Sequence, residues 1–221
     1  MYRFWFCLGL LVITGLVVRV VISRRRRTRT LLSLATELHL SFSPEDLIDV
    51  QDRYHNLDMI RRGHSRHACN ILYGRADAGL VTVFCYHYDL GFGAHQVSRD
   101  WWFAVLETPG VHKHWRAVPA GASTLTSPVR IDVFDLQADH RDTLSQLTDA
   151  GIERVLEAAP ADYHWEVRGP LVAVATPFDP APETPRRLLI TACDLARILA
   201  HALPGQREAK PAASGANESG R

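Results

Sequence analysis

The stretch FWFCLGLLVITGLVVRVVIS, residues 4–23, constrains this chain more than any other. It is apolar except at Thr14, Arg19 and Ser23, and it ends against Arg24, Arg25, Arg26 and Arg27. A helix of that length rises about 30 Å, the thickness of a bilayer's hydrocarbon core. Arg19 stands near the C-terminal end, where its long stem can carry the charge to the headgroups. Trp5 stands near the other end, as interfacial aromatics do. A secretory signal peptide would place basic residues before the run and small residues at a cleavage site. Here only Arg3 precedes the run, and no A-x-A pattern follows. A core helix would not be apolar all round and then meet four arginines. The sequence predicts a transmembrane anchor with an arginine-rich flank over residues 1–30.

Charge supports that division. Residues 1–30 carry seven arginines and no acids, whereas residues 31–203 carry 15 basic and 22 acidic side chains, a net of −7. A nucleic-acid binder carries its positive patch on the folded domain, so this distribution argues against nucleic acid. Positive residues stay on the cytoplasmic side of a span. The predicted topology is therefore a single pass in the cell membrane, N-terminus out, with the domain in the cytoplasm. Arg24, Arg25, Arg26 and Arg27 are also candidates to hold anionic lipid headgroups. Cys7, Cys69, Cys85 and Cys193 form no CxxC pair and no disulfide framework, which fits a reducing compartment.

Beyond the anchor, TLLSLATELHL has apolar residues at helical spacing. SPEDLIDVQDRY then predicts a short helix from about 44 to 54, with Ser43 as N-cap and Pro44 at the first helical position. From about residue 66 the period changes to two. ACNILYG, LVTVFCYHY and VSRDWWFAVLE read as strands, followed by HWRAVPA and RIDVF. In LVTVFCYHY, Val81, Val83 and Cys85 take one face and Phe84, Tyr86 and Tyr88 the other, which predicts a strand covered on both sides. Residues 142–159 read as an amphipathic helix weakened by Gly151, YHWEVRG and LVAVATP as a last hairpin-like pair, and residues 184–203 as a final helix. The layout predicts an α+β fold over residues 31–203, an antiparallel sheet of about five to seven strands packed with helices. Residues 204–221 read as a disordered tail.

The stretch GHSRHACNILYGRADAGLVTVFCYHY carries a recognisable pattern at Gly63, Arg66, Asn70, Gly74, Gly79, Val83, Phe84, Tyr86 and Tyr88, joined later by Trp165, Val167, Gly169 and Leu171. On these residues the chain resembles a group of membrane-anchored bacterial proteins with one such domain, over roughly residues 35–203. The group has no assigned activity, so the resemblance implies an architecture and no chemistry. His64, His67 and Cys69 are not part of the pattern.

Those three residues are nevertheless the candidate metal ligands. H-x-x-H-x-C brings zinc-type ligands close together, but no fourth ligand or defining turn accompanies them. On a strand, Cys69 would pack inward instead. His112 and His114 would point to one side of a strand, but PGVHKHW reads as an exposed polar turn with solvated histidines. Gly91 and Gly93 lie between two strands, so GFG is a hairpin loop and not a dinucleotide fingerprint. Trp101 and Trp102 should take opposite faces of their strand. No catalytic set is legible: there is no G-x-S-x-G, and Asp139–His140 are mere chain neighbours. The sequence therefore predicts a non-enzymatic binding or assembly module at the membrane, without a cofactor, with lipids as partners and a protein at the membrane as a candidate partner. A metal-dependent enzyme built on the His/Cys cluster is the rival expectation.

Overall fold

Two long strands organise the molecule. The computed structural model describes residues 2–121 and 128–202. After helix α1 (Tyr2–Glu37) come β1 (Ser41–Glu45), one turn of helix α2 (Val50–Arg53), β2 (His64–Ala76), β3 (Gly79–Leu90) and β4 (Val97–Pro119). The short strands β5 (Val129–Ile131) and β6 (Phe134–Ala138), helices α3 (Arg141–Asp149) and α4 (Ile152–Ala158), strand β7 (His164–Pro177) and helix α5 (Glu183–Ala202) complete the described chain. All pairings in the seven-stranded sheet are antiparallel, in the order β1-β2-β3-β4-β6-β5, with β7 against β4. This is the α+β architecture read from the sequence.

β4 changes neighbours along its length. Its first half lies between β3 and β7 and its second half between β6 and β7. Register shifts on either side of the His112–Gly169 pair bend this ribbon, as inserted residues do. The bend brings the ends of β7 together. Thr176 Oγ1 donates to Asp162 Oδ2 at 2.8 Å, and the His164 ring meets Trp101 edge to face at 4.7 Å.

Both faces of the sheet are covered. Val81, Val83, Cys85 and Trp102 lie under Leu31, Leu34 and Ala35 of α1 and Leu188, Leu195 and Leu199 of α5. Phe84, Tyr86, Tyr88 and Phe103 lie under Val50, Tyr54, Leu57 and Ile60. The two-sided strand expected at LVTVFCYHY is thus present, and Trp101 and Trp102 take opposite faces as predicted.

Several expected elements are redrawn. Ser43 and Pro44 do not start a helix; they lie in β1, which pairs with β2 from Ser41–Tyr73 to Glu45–Cys69. Ser43 Oγ turns to the Glu45 backbone, and the Asp46 carboxylate accepts from Val50 N at 3.1 Å, so the helix shrinks to one turn. VSRDWWFAVLE and HWRAVPA are one strand, and so are YHWEVRG and LVAVATP. RIDVF splits into a hairpin turning at Asp132, which has a left-handed φ of 50°. The helix expected over 142–159 breaks at Gly151.

α1 runs unbroken from the apolar run into the domain, across the boundary expected near residue 30. Among the described residues, no helix is long and apolar enough to cross a membrane. The side chains of residues 1–13, 17, 20 and 24 lie outside that description, and the span expected over 4–23 falls largely on them. The tail expected over 204–221 also lies outside the described residues.

Candidate functional site

β4 and β7 place alternate side chains on the face away from α5. At the register pair Arg116–Glu166 these are polar: His114 and Arg116 from β4, Glu166 and Arg168 from β7. The turns between α2 and β2 fold over them. Tyr54, Leu57, Met59 and Ile60 sink into the aromatic layer and carry Asp58 onto the polar patch.

Glu166 is completely buried. Its two carboxylate oxygens accept from the backbone N–H groups of Asp58, at 2.7 Å, and Met59, at 2.9 Å. Asp58 in turn takes Arg116 at 3.2 Å and Arg168 at 3.1 Å, one on each oxygen, and Arg168 also donates to Asn56 O at 2.7 Å. His114 bridges outward, with Nδ1 3.1 Å from Asp139 Oδ1 and Nε2 3.5 Å from Glu166 Oε1. The Glu166 carboxylate, helped by Asp139, holds the imidazole pKa above its ordinary value against the opposing effect of burial.

Among the described residues, Asp58, His114 and Glu166 are the one set of three His, Cys, Asp or Glu side chains whose ligand atoms all lie within 4.8 Å of one another. One nitrogen and two carboxylates would suit a divalent transition metal. Each carboxylate is already engaged, however, by two guanidinium groups or by two backbone donors. The arrangement resembles a clamp that fixes the covering turns to the sheet, since a buried charge needs such compensation.

The sequence's own candidates are placed differently. His64 Nε2 lies 2.6 Å from Gly91 O and its ring stacks on Phe92 at 4.5 Å. His67 stands beside His87 with ring centroids 4.7 Å apart. Cys69 faces Cys85 across the β2–β3 ladder and packs half-buried against the core, as the strand reading expected. The three form no ligand group of the kind found at Asp58, His114 and Glu166. Their spacing fails because β2 is bulged between His64 and His67, with Ser65 at φ 51°. The exposed turn expected at PGVHKHW is corrected: β4 runs through it, His112 is buried and His114 nearly so. Burial lowers the His112 pKa. Asp58 and Glu166 were missed because each looks like an ordinary surface acid; the alternation of His164, Glu166 and Arg168 with Trp165 and Val167 reads as a solvated face.

Of the arginine run, Arg25 and Arg26 are exposed, Arg27 sits over the Phe178 ring at 4.6 Å, and the Arg24 side chain lies outside the described residues. Arg19, Arg26 and Arg27 line a cleft of about 580 Å³ between α1 and the segment after β7, with Val18, Trp102 and Pro182.

The sheet and its helices define an α+β domain entered through one long N-terminal helix. No family model matches the chain, and no curated protein does. Among solved structures, it is similar to the crystal structure of the mycobacterial trehalose monomycolate transport factor A, TtfA. The likeness has a TM-score of 0.63 at 13% identity and covers 79% of this chain and 95% of that one. At that identity it is a likeness of fold.

Proposed function

We propose that this chain is a single-pass membrane protein, N-terminus outside, whose cytoplasmic domain acts without chemistry of its own as a binding or assembly factor for a transport process at the membrane. The observation that carries the reading is the shared fold, which spans almost the whole of a protein named as a transport factor. Two features support the anchor. α1 has 36 residues, enough for a span and a further stretch against the domain. The run over 4–23 is followed by the arginines that favour the cytoplasmic side, where Arg24, Arg25, Arg26 and Arg27 meet anionic headgroups. The clamp at Asp58 and Glu166 supports the absence of chemistry, because its charged groups answer one another.

The test is chemical cross-linking in intact membranes, then purification of the full-length chain. We expect one membrane transport protein to be enriched, and recovery of the chain alone would overturn the assembly role. Reporters fused to the C-terminus should be active only in cytoplasmic form; activity of a secreted reporter would reverse the topology. A second reading, a metal-dependent enzyme, draws on the Asp58, His114 and Glu166 set. It requires stoichiometric metal in the purified chain that is lost in His114→Ala, while His67→Ala tests the cluster expected from sequence.

A further inference from the structure

We propose that the β3–β4 loop is a membrane-contacting wedge, with Phe92 entering the headgroup layer of the bilayer that holds α1. The inference rests on the anchor reading and adds a second point of contact with the lipid. Three apolar side chains stand out on this loop: Phe92 is 78% exposed, Val97 45% and Leu90 41%. The loop is built to present them. Gly91 has φ 73°, and a Cβ there would meet His95 O at 2.6 Å, so the chain turns tightly at its tip. His64, donating through Nε2 to Gly91 O, stacks flat beneath Phe92 with ring planes 7° apart. The histidine that looked like a ligand is the pedestal of an exposed aromatic ring.

The position of α1 shows what the wedge would meet. The chain just past α1, at His39 and Leu40, lies by Gly74, whose partner on β3 is Val81. Further back along the helix, Arg27 lies over Phe178, whose N–H bonds Asp100 O; Asp100 is the register partner of His87. α1, followed toward its N-terminus, therefore climbs the sheet in the direction that β3 takes toward Leu90. From Arg27 to Arg19 the helix rises about 12 Å, and from His87 to Leu90 the strand rises about 10 Å. The loop tip therefore stands level with Arg19, where the apolar run should leave the hydrocarbon.

Charge agrees with that placement. Although residues 31–203 are net acidic, this end of the sheet displays the exposed Arg66, at the β2 bulge, and Arg99, the partner of Tyr88. The acids at this end have partners within the protein: Asp89 accepts from Ser98 Oγ at 2.7 Å, the exposed Asp100 holds His87 at 2.7 Å, Asp162 accepts from Thr176 Oγ1 at 2.8 Å and Asp179 from Thr184 Oγ1 at 3.2 Å. An apolar tip flanked by exposed arginines, with the neighbouring acids already partnered, suits the headgroup layer of an anionic leaflet.

The test places the photo-reactive residue p-benzoylphenylalanine at position 92, 10 or 111 of the full-length chain. Each protein is reconstituted in vesicles of phosphatidylglycerol and phosphatidylethanolamine, irradiated and analysed for lipid adducts by mass spectrometry. Position 10 lies in the apolar run, and Val111, 53% exposed, lies toward the opposite end of the sheet. We expect lipid adducts at 92 and 10 but none at 111, and loss of the adduct at 92 when His64→Ala removes the pedestal. Adducts at 10 without adducts at 92 would overturn the wedge and leave the anchor standing. Absence of adducts at 10 would overturn the anchor and the wedge with it. Cross-links from 92 to another protein would make the loop a protein-docking surface and also overturn the proposal.

Discussion

His114 and His164 pull the stability of this domain in opposite directions with pH. The His114 pKa is raised, so the stability it contributes is complete below the ordinary value of 6.5 and is lost as pH climbs through its own higher pKa. His164 is held down to about 4 by burial, with Arg62 adding to the effect. Its contribution is complete above 6.5 and is lost as pH falls toward 4, on the order of 3 kcal/mol in all. Urea unfolding from pH 4 to 8 should show both limbs: His164→Leu should flatten the acid one and His114→Gln the alkaline one. Glu166→Gln should cost about 3 kcal/mol at neutral pH, read in the same titrations, because it breaks a buried charged network. The thiols offer a separate check. Cys85, facing it across the β2–β3 ladder, lowers the Cys69 pKa, while the same contact and burial push Cys85 up. Iodoacetamide at pH 7.5 should therefore modify Cys69 before Cys85, and peptide mass spectrometry would reveal the reverse order.

Among the elements, bulges carry what strand periodicity cannot. Asn70 sits at the second β2 irregularity with φ 53°, a conformation that asparagine tolerates and β-branched residues do not. Asn70→Gly should leave the melting temperature nearly unchanged, whereas Asn70→Val should lower stability by about 2 kcal/mol. Gly79 has a firmer reason to be glycine, since a Cβ there would run into Glu107 O. These are positions of the pattern on which the sequence resembles a group of membrane-anchored bacterial proteins, and their role here is geometric. β2, β3 and both sides of β3 were legible in alternation and aromatic content. The unity of β4 and of β7 was not, because Pro109–Gly110 and Gly169–Pro170 look like turns, yet the ribbon bends through them without ending. β1 was misread because its pairing with β2 is a long-range choice that outweighs a local capping signal. The clamp was illegible for a related reason: Glu166 grips a backbone 108 residues away.

For the whole molecule, α1 has no break between its apolar run and the core residues Leu31, Leu34 and Ala35. Residues 24–30, the arginine-rich flank where the sequence placed the end of the anchor, are helix. With the proposed anchor, the domain would be geared to its span in rotation as well as in height. Each residue added to a helix turns everything before it by about 100°. A single alanine inserted after Arg25 would swing the N-terminal part of α1 away from its phase with the sheet, while four would nearly restore it. Capture of a membrane partner across an insertion series of one to four alanines should fall and recover with that period. A flat response would mean that the partner reads the domain alone. The helix would thus serve as a shaft that sets the domain's compass bearing, so that one face of the sheet always turns toward whatever packs beside the span.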